Sequence, residues 1–324
     1  MIDSKRITIL DGLRVIAIVM VLLYHYYFRF LESHYHYSFK TLELFKYGYL
    51  GVELFFIISG FVITLTLTKC NSFLDFIKKR FIRLIPAMLV CSALTFLFMS
   101  IFDDDFLFEK SSKFINLIVS NTFISPQLIN LIFNSNTDYI DGAYWSLWAE
   151  IVFYIIAGIL YFISQKKMLL NFSIVTFSGV IFFFLAISNK GMQFLSPLIG
   201  STLYMNIRQF FKIFTFFEYG LWFLLGMILN KLYYNKESKW LLFYFTIVFV
   251  FQTILLFNFY ISLFSLFTYI VLLCFIYKPE MIAILGNHFF SKLGLVSYSV
   301  YLIHQNIGVL IINKFSNYLG NYSW

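Results

Sequence analysis

The sequence predicts an all-α fold: a polytopic transmembrane helix bundle of nine or ten spans with its N-terminus in the cytoplasm. Three observations carry that reading. The first is composition. The chain is 60% hydrophobic and 12% charged, whereas soluble domains average roughly 45–50% apolar and about 25% charged. So little charge cannot clothe a water-soluble globule of 324 residues. The second is the recurrence of apolar runs near the length of about 20 residues that a spanning helix needs. The third is the aromatic content of 22%, mostly Phe and Tyr, which suits lipid contact and interfacial belts. The same composition excludes a disordered chain, and four prolines and fifteen glycines exclude a collagen-like or low-complexity one.

The elements follow in order. Lys5 and Arg6 precede an apolar run, as in a signal peptide, but Leu13–Leu23 leads into Tyr24-His25-Tyr26-Tyr27-Phe28 with no small-residue cleavage site. Residues 12–30 therefore read as a retained span. Further spans are expected at 49–68, 84–102, 146–164, 168–188, 216–233, 240–257, 260–277 and 293–313. Three stretches are ambiguous. Residues 114–133 are broken by Asn116, Asn121, Pro126 and Asn130; 193–213 carries Pro197 and Arg208; 281–290 is too short to cross alone. Each reads as re-entrant or interfacial, or as a tenth span. No internal repeat, linker or separate soluble domain is visible, so one domain over 1–324 is expected, with no room before Trp324 for a fused soluble domain.

Loop charge sets the orientation. With the N-terminus inside, the inner side of the first five spans holds Lys5, Arg6, Arg14, Lys69, Lys78, Lys79, Arg80, Arg83, Lys166 and Lys167. The outer side holds only Arg29, Lys40, Lys46, Lys110 and Lys113. Basic residues concentrate on cytoplasmic loops, which also accounts for the net charge of +8 without nucleic acid. Beyond residue 190 the ambiguous stretch leaves later loops open by one flip. Cys70, Cys91 and Cys274 are odd in number and widely spaced, and so read as apolar filler rather than a disulfide or zinc framework. His34 and His36 read as an exposed outer loop, and no metal site is assigned.

Ionisable groups inside spans are costly and point to function. Arg14 and His25 are eleven positions apart, nearly one azimuth and roughly 16 Å along a helix. An imidazole there suits a base near neutral pH; the alternative is an anchor arginine and a packed histidine. Asp11, one turn before Arg14, reads as its ion-pair partner. Glu53 opens the second span, and Ser59-Gly60 later in it permits close helix approach. Arg80 and Arg83 share a helical face ahead of Pro86. They suit phosphate binding, or simply the positive-inside pattern. Glu150 and Tyr154 share a face of the fourth span, and Tyr301 and His304 one of the last.

Taken together and in order, these blocks resemble the acyltransferase-3 family of integral membrane acyltransferases. The matching text is Arg14 with ten residues before His25, Gly51-Val52-Glu53-Leu54-Phe55-Phe56 leading to Ser59-Gly60-Phe61, and Arg80-x-x-Arg83. It continues with Trp145-Ser146-Leu147 and Glu150, then Ser297-Tyr298-Ser299 with Tyr301-Leu302 and His304. One departure is visible: the family often has two adjacent acids after its Trp-Ser-Leu, whereas Glu150 is followed by Ile151. The resemblance implies transfer of an acyl group, usually acetyl, from a coenzyme A thioester to a hydroxyl of an envelope carbohydrate. It implies His25 as general base with Glu150 in support, and Arg14, Arg80 and Arg83 on the coenzyme phosphates. Glu53, Ser59, Tyr154, Tyr301 and His304 are the candidate substrate-binding side chains. Acetyl-CoA would be a donor substrate rather than a resident cofactor. The partners would be membrane lipid and a carbohydrate or lipid-linked glycan, and the location a bacterial inner membrane. Two rivals remain at this point: a transporter or flippase, which would show inverted repeats, and a lipid-linked glycosyltransferase, which would use no coenzyme A.

Overall fold

The computed structural model describes residues 6–30, 43–256 and 258–319. His34, His36, Lys5, Lys40 and Trp324 lie outside them. Among the described residues all regular structure is helical. The helices are α1 (Thr8–Tyr24), α2 (Gly51–Leu67), α3 (Phe73–Phe102), α4 (Phe114–Asn121), α5 (Pro126–Phe133), α6 (Trp145–Ile163) and α7 (Met168–Ile187). They continue as α8 (Asn189–Ile199), α9 (Ser201–Ile213), α10 (Phe216–Tyr234), α11 (Lys239–Leu256), α12 (Phe259–Tyr277) and α13 (His288–Leu319). A π-helical turn, His25–Arg29, extends α1.

Seven of these, α1, α2, α3, α6, α7, α12 and α13, are by themselves long and apolar enough to cross a membrane. The expected runs at 216–233 and 240–257 form α10, which meets α9 at a 43° bend, and the shorter α11. The three ambiguous stretches are each broken. Residues 114–133 fold as α4 and α5, bent by 107°, with Ser125 capping α5 and Pro126 at its start. Residues 193–213 split into α8 and α9 at Gly200, whose φ of +83° suits a residue without a Cβ. Residues 281–290 fall across the short 3-10 segment Pro279–Gly286 and the start of α13.

Packing fixes the helix directions. Gly294 of α13 lies against Asp11 of α1, and His304 against His25, so α13 runs parallel to α1. Phe56 of α2 meets Tyr219 of α10, and Phe61 meets Asn230, so these two also run parallel. Among the described residues seven helices are long enough to cross, and α10, bent from α9, and the shorter apolar α11 pack with them. The α4–α5 and α8–α9 pieces then fall on the side opposite the N-terminus, and the open flip beyond residue 190 is closed.

α2 and α10 form the centre. A Cβ on Gly60 would run into the Phe223 carbonyl, and one on Gly226 into that of Ile57. The glycines therefore let the two backbones touch, which is how apolar helices gain contact without a hydrophobic drive between them. Phe223 stacks on Phe153 at 4.2 Å between centroids and sits 4.5 Å from Phe56. Gly226→Leu should therefore force the helices apart, at the cost of about 1–3 kcal/mol or more expected for overpacking. Size-exclusion profiles of detergent-solubilised protein should show loss of the monodisperse peak; a normal profile and melting temperature would contradict the close approach.

α3 has 30 residues, about 45 Å against a hydrocarbon core of about 30 Å. Its first turns, capped by Ser72, therefore carry Arg80 and Arg83 at the membrane margin.

Candidate active site

A cavity of about 650 Å³ opens between α1, α2, α3, α6 and α13. Arg6, Lys69 and Tyr234 stand at the end assigned to the inside by loop charge, and Ser146, Phe55 and Tyr301 at the other. Its walls carry five basic side chains, Arg6, Arg14, Lys69, Arg80 and Arg83, against two acidic ones, Asp11 and Glu150. The excess positive charge in a partly dry space favours an anionic ligand.

Each charge has a local reason. Asp11 takes Arg6 Nε at 2.7 Å and Arg14 Nη1 at 2.9 Å, so one buried carboxylate braces two guanidinium groups. Arg80 and Arg83, three apart on α3, both reach the wall. Arg80 is buried, donates to Thr66 Oγ1 at 3.3 Å and lies 6.0 Å from the Tyr154 ring. Its Nε has no protein partner. Buried donors are nearly always satisfied; here Nε is enclosed and unmatched, while Arg80 as a residue lines the cavity. Glu150 Oε1 accepts from Ser59 Oγ and from Tyr154 Oη, both at 2.5 Å, tying α2 to α6.

His25 and His304 do not line this cavity. They form a pair beyond its outer end, with His304 Nε2 3.2 Å from His25 Nδ1. Their proton positions follow from the surrounding acceptors. His304 Nδ1 lies 2.7 Å from the Tyr301 carbonyl, which can only accept, so Nδ1 carries the proton and Nε2 is a lone pair. His25 Nδ1 lies 2.9 Å from the Val21 carbonyl and faces that lone pair. It too must carry a proton, leaving His25 Nε2 unprotonated. The backbone loosens from α to π at His25, a change frequent at functional positions.

Between the cavity and this pair stands Tyr301. Its ring is 5.4 Å from His304 and 5.8 Å from Phe55. Its hydroxyl bonds Ser146 Oγ at 2.8 Å and the Ala143 carbonyl at 3.0 Å. The structure thus brings Arg14, Arg80, Arg83, Ser59, Glu150, Tyr154 and Tyr301 to one cavity, and His25 with His304 to its far side. Glu53 is not on the cavity wall. It is buried in the outer part of α2, with Oε2 unpartnered.

The sequence reading missed Asp141. It is fully buried; Oδ1 accepts from Ala143 N at 2.8 Å and Oδ2 from Asn306 N at 3.0 Å. Burial pushes its carboxyl up to about 7, against those two backbone donors. Asn306 in turn bonds Ser111 Oγ and the Ile140 carbonyl, and Tyr26 Oη donates to the His304 carbonyl at 2.8 Å. These bonds hold the backbone carrying His304. In the sequence, Asp141-Gly142 reads only as a turn, and nothing local marks the carboxylate as buried.

Known proteins give the same direction. The O-acetyl transferase of Shigella phage Sf6 is 32% identical over 153 residues, 46% of this chain and 44% of that protein. The O-acetyltransferase OatA of Staphylococcus aureus is 33% identical over 157 residues, 45% of this chain and 23% of that protein. The peptidoglycan O-acetyltransferase OatA of Listeria monocytogenes is 30% identical over 181 residues, 51% of this chain and 26% of that protein. The chain therefore spans less than half the length of these relatives. No solved structure matches it. The family model described as an acyltransferase domain matches residues 7–324, and so takes in every helix that builds the cavity and the histidine pair. This multi-pass membrane protein belongs to the acyltransferase-3 family.

Proposed function

We propose that the protein transfers an acyl group, acetyl in the simplest case, from acyl-CoA to a hydroxyl of a cell-envelope carbohydrate, working in the plasma (bacterial inner) membrane. The observation that carries this reading is the cavity itself. It is cation-rich at the end that loop charge assigns to the inside, and its other end is closed by Tyr301, whose ring neighbours the histidine pair. Relatives named O-acetyltransferases support the reaction class.

In this reading Arg14, Arg80 and Arg83, which line the cavity, hold the phosphates of the coenzyme. The pantetheine arm runs along the cavity toward Tyr301. The acceptor oxygen attacks the thioester carbonyl carbon as its proton passes to His25 Nε2. The C–S bond breaks, and the coenzyme thiolate leaves and takes up the proton from the imidazolium. His25 lies about 16 Å along α1 from Arg14, so the acyl group reaches the outer half while the nucleotide stays on the inner side. The Tyr301 ring must swing away from Ser146 for the thioester to meet His25. No inverted repeat relates the helices in the sequence, so a transporter reading gains nothing from the fold.

The test is sidedness in sealed inside-out vesicles. Acetyl-CoA added to the exposed cytoplasmic face should be consumed, and glycan in the lumen should become labelled. No consumption by abundant, folded protein would overturn the proposal. In the same assay Arg80→Ala and Arg83→Ala should each raise the apparent KM for acetyl-CoA about ten- to hundredfold, from the roughly 1.5–3 kcal/mol of a charge-assisted hydrogen bond. An unchanged KM with reduced membrane abundance would return both residues to a role in orientation alone.

A further inference from the structure

A second polar cluster lies outside the cavity, where three helices begin on the outer side. Glu53 is 5% exposed, and its Oε2 has no partner. Its electrostatic neighbours are Glu218, Tyr219 and Tyr49. Glu218 and Tyr219 are hydrogen-bonded side chain to side chain. One turn below Glu53, the Phe56 ring is 5.4 Å from Tyr219 and 6.3 Å from Trp145, and Trp145 lies 5.1 Å from Tyr219. Tyr49, Trp145, Glu218 and Tyr219 are all half-buried. Aromatic faces are thus presented next to carboxyl oxygens.

Two ring contacts tie the cluster to the reaction centre. Tyr24 lies 5.0 Å from His25 on one side and 5.6 Å from Tyr49 on the other. Phe56 belongs to both spaces, because it also lines the cavity. The Trp145–Tyr219 pair therefore shares Phe56 with the cavity wall, and Tyr49 connects to His25 through Tyr24.

The chemistry narrows the ligand. Aromatic faces carry negative charge density and attract weakly positive C–H groups, which line the faces of a pyranose ring. Carboxyl oxygens accept from hydroxyls. A buried carboxyl oxygen without a partner is costly, and a sugar hydroxyl would satisfy it. We propose that Trp145, Tyr219, Tyr49, Glu53 and Glu218 form the acceptor subsite, and that it takes a pyranose whose hydroxyl is presented to His25. This rests on the proposed acyltransferase reading, and it assigns to the substrate residues that the reaction itself does not require.

The test uses the full-length protein in sealed inside-out vesicles with the host's own lumenal glycan and labelled acetyl-CoA. Two quantities are read: coenzyme A released, and label entering glycan per coenzyme A released. Trp145→Leu should lower the second at least tenfold, and Tyr219→Phe and Glu53→Gln several-fold, while the KM for acetyl-CoA stays within twofold. Glu53→Gln keeps size and shape, so it carries the test should Trp145→Leu fail to accumulate. Unchanged label per coenzyme A in folded Trp145→Leu and Glu53→Gln, or a rise in donor KM matching the loss, would overturn the subsite alone. A wild-type protein that neither releases coenzyme A nor labels glycan would overturn the acyltransferase reading, and the subsite with it.

Discussion

His25→Ala should leave a folded, membrane-inserted protein whose transfer rate is lower by about 10²–10⁴, the range for loss of a general base. The fold should survive because His25 makes no ion pair among the described residues and its ring bonds are three single contacts, to the Val21 carbonyl, His304 and the Gln305 side chain. The rate should fall because among the described residues no other imidazole pairs with His304, and His304 cannot substitute: its own Nε2 points at position 25 and its Nδ1 proton is held by Tyr301. The measurement is label transfer at equal abundance, with the melting temperature as the control. Near-normal transfer by the alanine variant would remove His25 from the chemistry and leave the pair as packing.

Glu150→Ala should lower transfer about 10²-fold, and Glu150→Gln about tenfold. The carboxylate accepts two short hydrogen bonds, from Ser59 and Tyr154, and its charge acts on Arg14. Two such bonds to a charged acceptor are worth about 1.5–3 kcal/mol each, and each 1.36 kcal/mol of barrier is tenfold in rate. Glutamine keeps the shape and one acceptor but loses the charge. Alanine in addition leaves two hydroxyls unmatched in the cavity wall. Rates and donor KM on purified protein, with size-exclusion profiles, would check this. Equal activity of both variants and wild type would reduce Glu150 to a helix tie.

The departure noted in the sequence, Ile151 after Glu150, has a structural counterpart: Ile151 is buried in the apolar core. The Glu150 contacts are met by Ser59 and Tyr154, and a second acid at 151 would face apolar packing rather than the cavity.

The amino-acid sequence determined those features that depend on neighbours along the chain. Hydropathy is local, so the seven strong spans were legible, as were the breaks near Pro126 and within 193–213. Helical spacing is local too. The Asp11–Arg14 pair, the shared face of Arg80 and Arg83, and the Glu150–Tyr154 bond all follow from positions three or four apart. What the tertiary structure decided are contacts between residues far apart in the chain. His25 and His304 meet across 279 positions, Asp141 reaches Asn306 across 165, and Ser59 reaches Glu150 across 91. Helical spacing put Arg14 and His25 on one azimuth of α1, but it did not reveal that Arg14 lines the cavity and His25 does not, or that α13 brings Tyr301 in beside His304. The physical reason is that lipid-facing hydropathy specifies that a helix crosses, not which neighbour it meets. The neighbours are chosen by close backbone approach at Gly60, Gly226 and Gly294 and by buried polar groups seeking partners, and both operate only once the bundle is assembled.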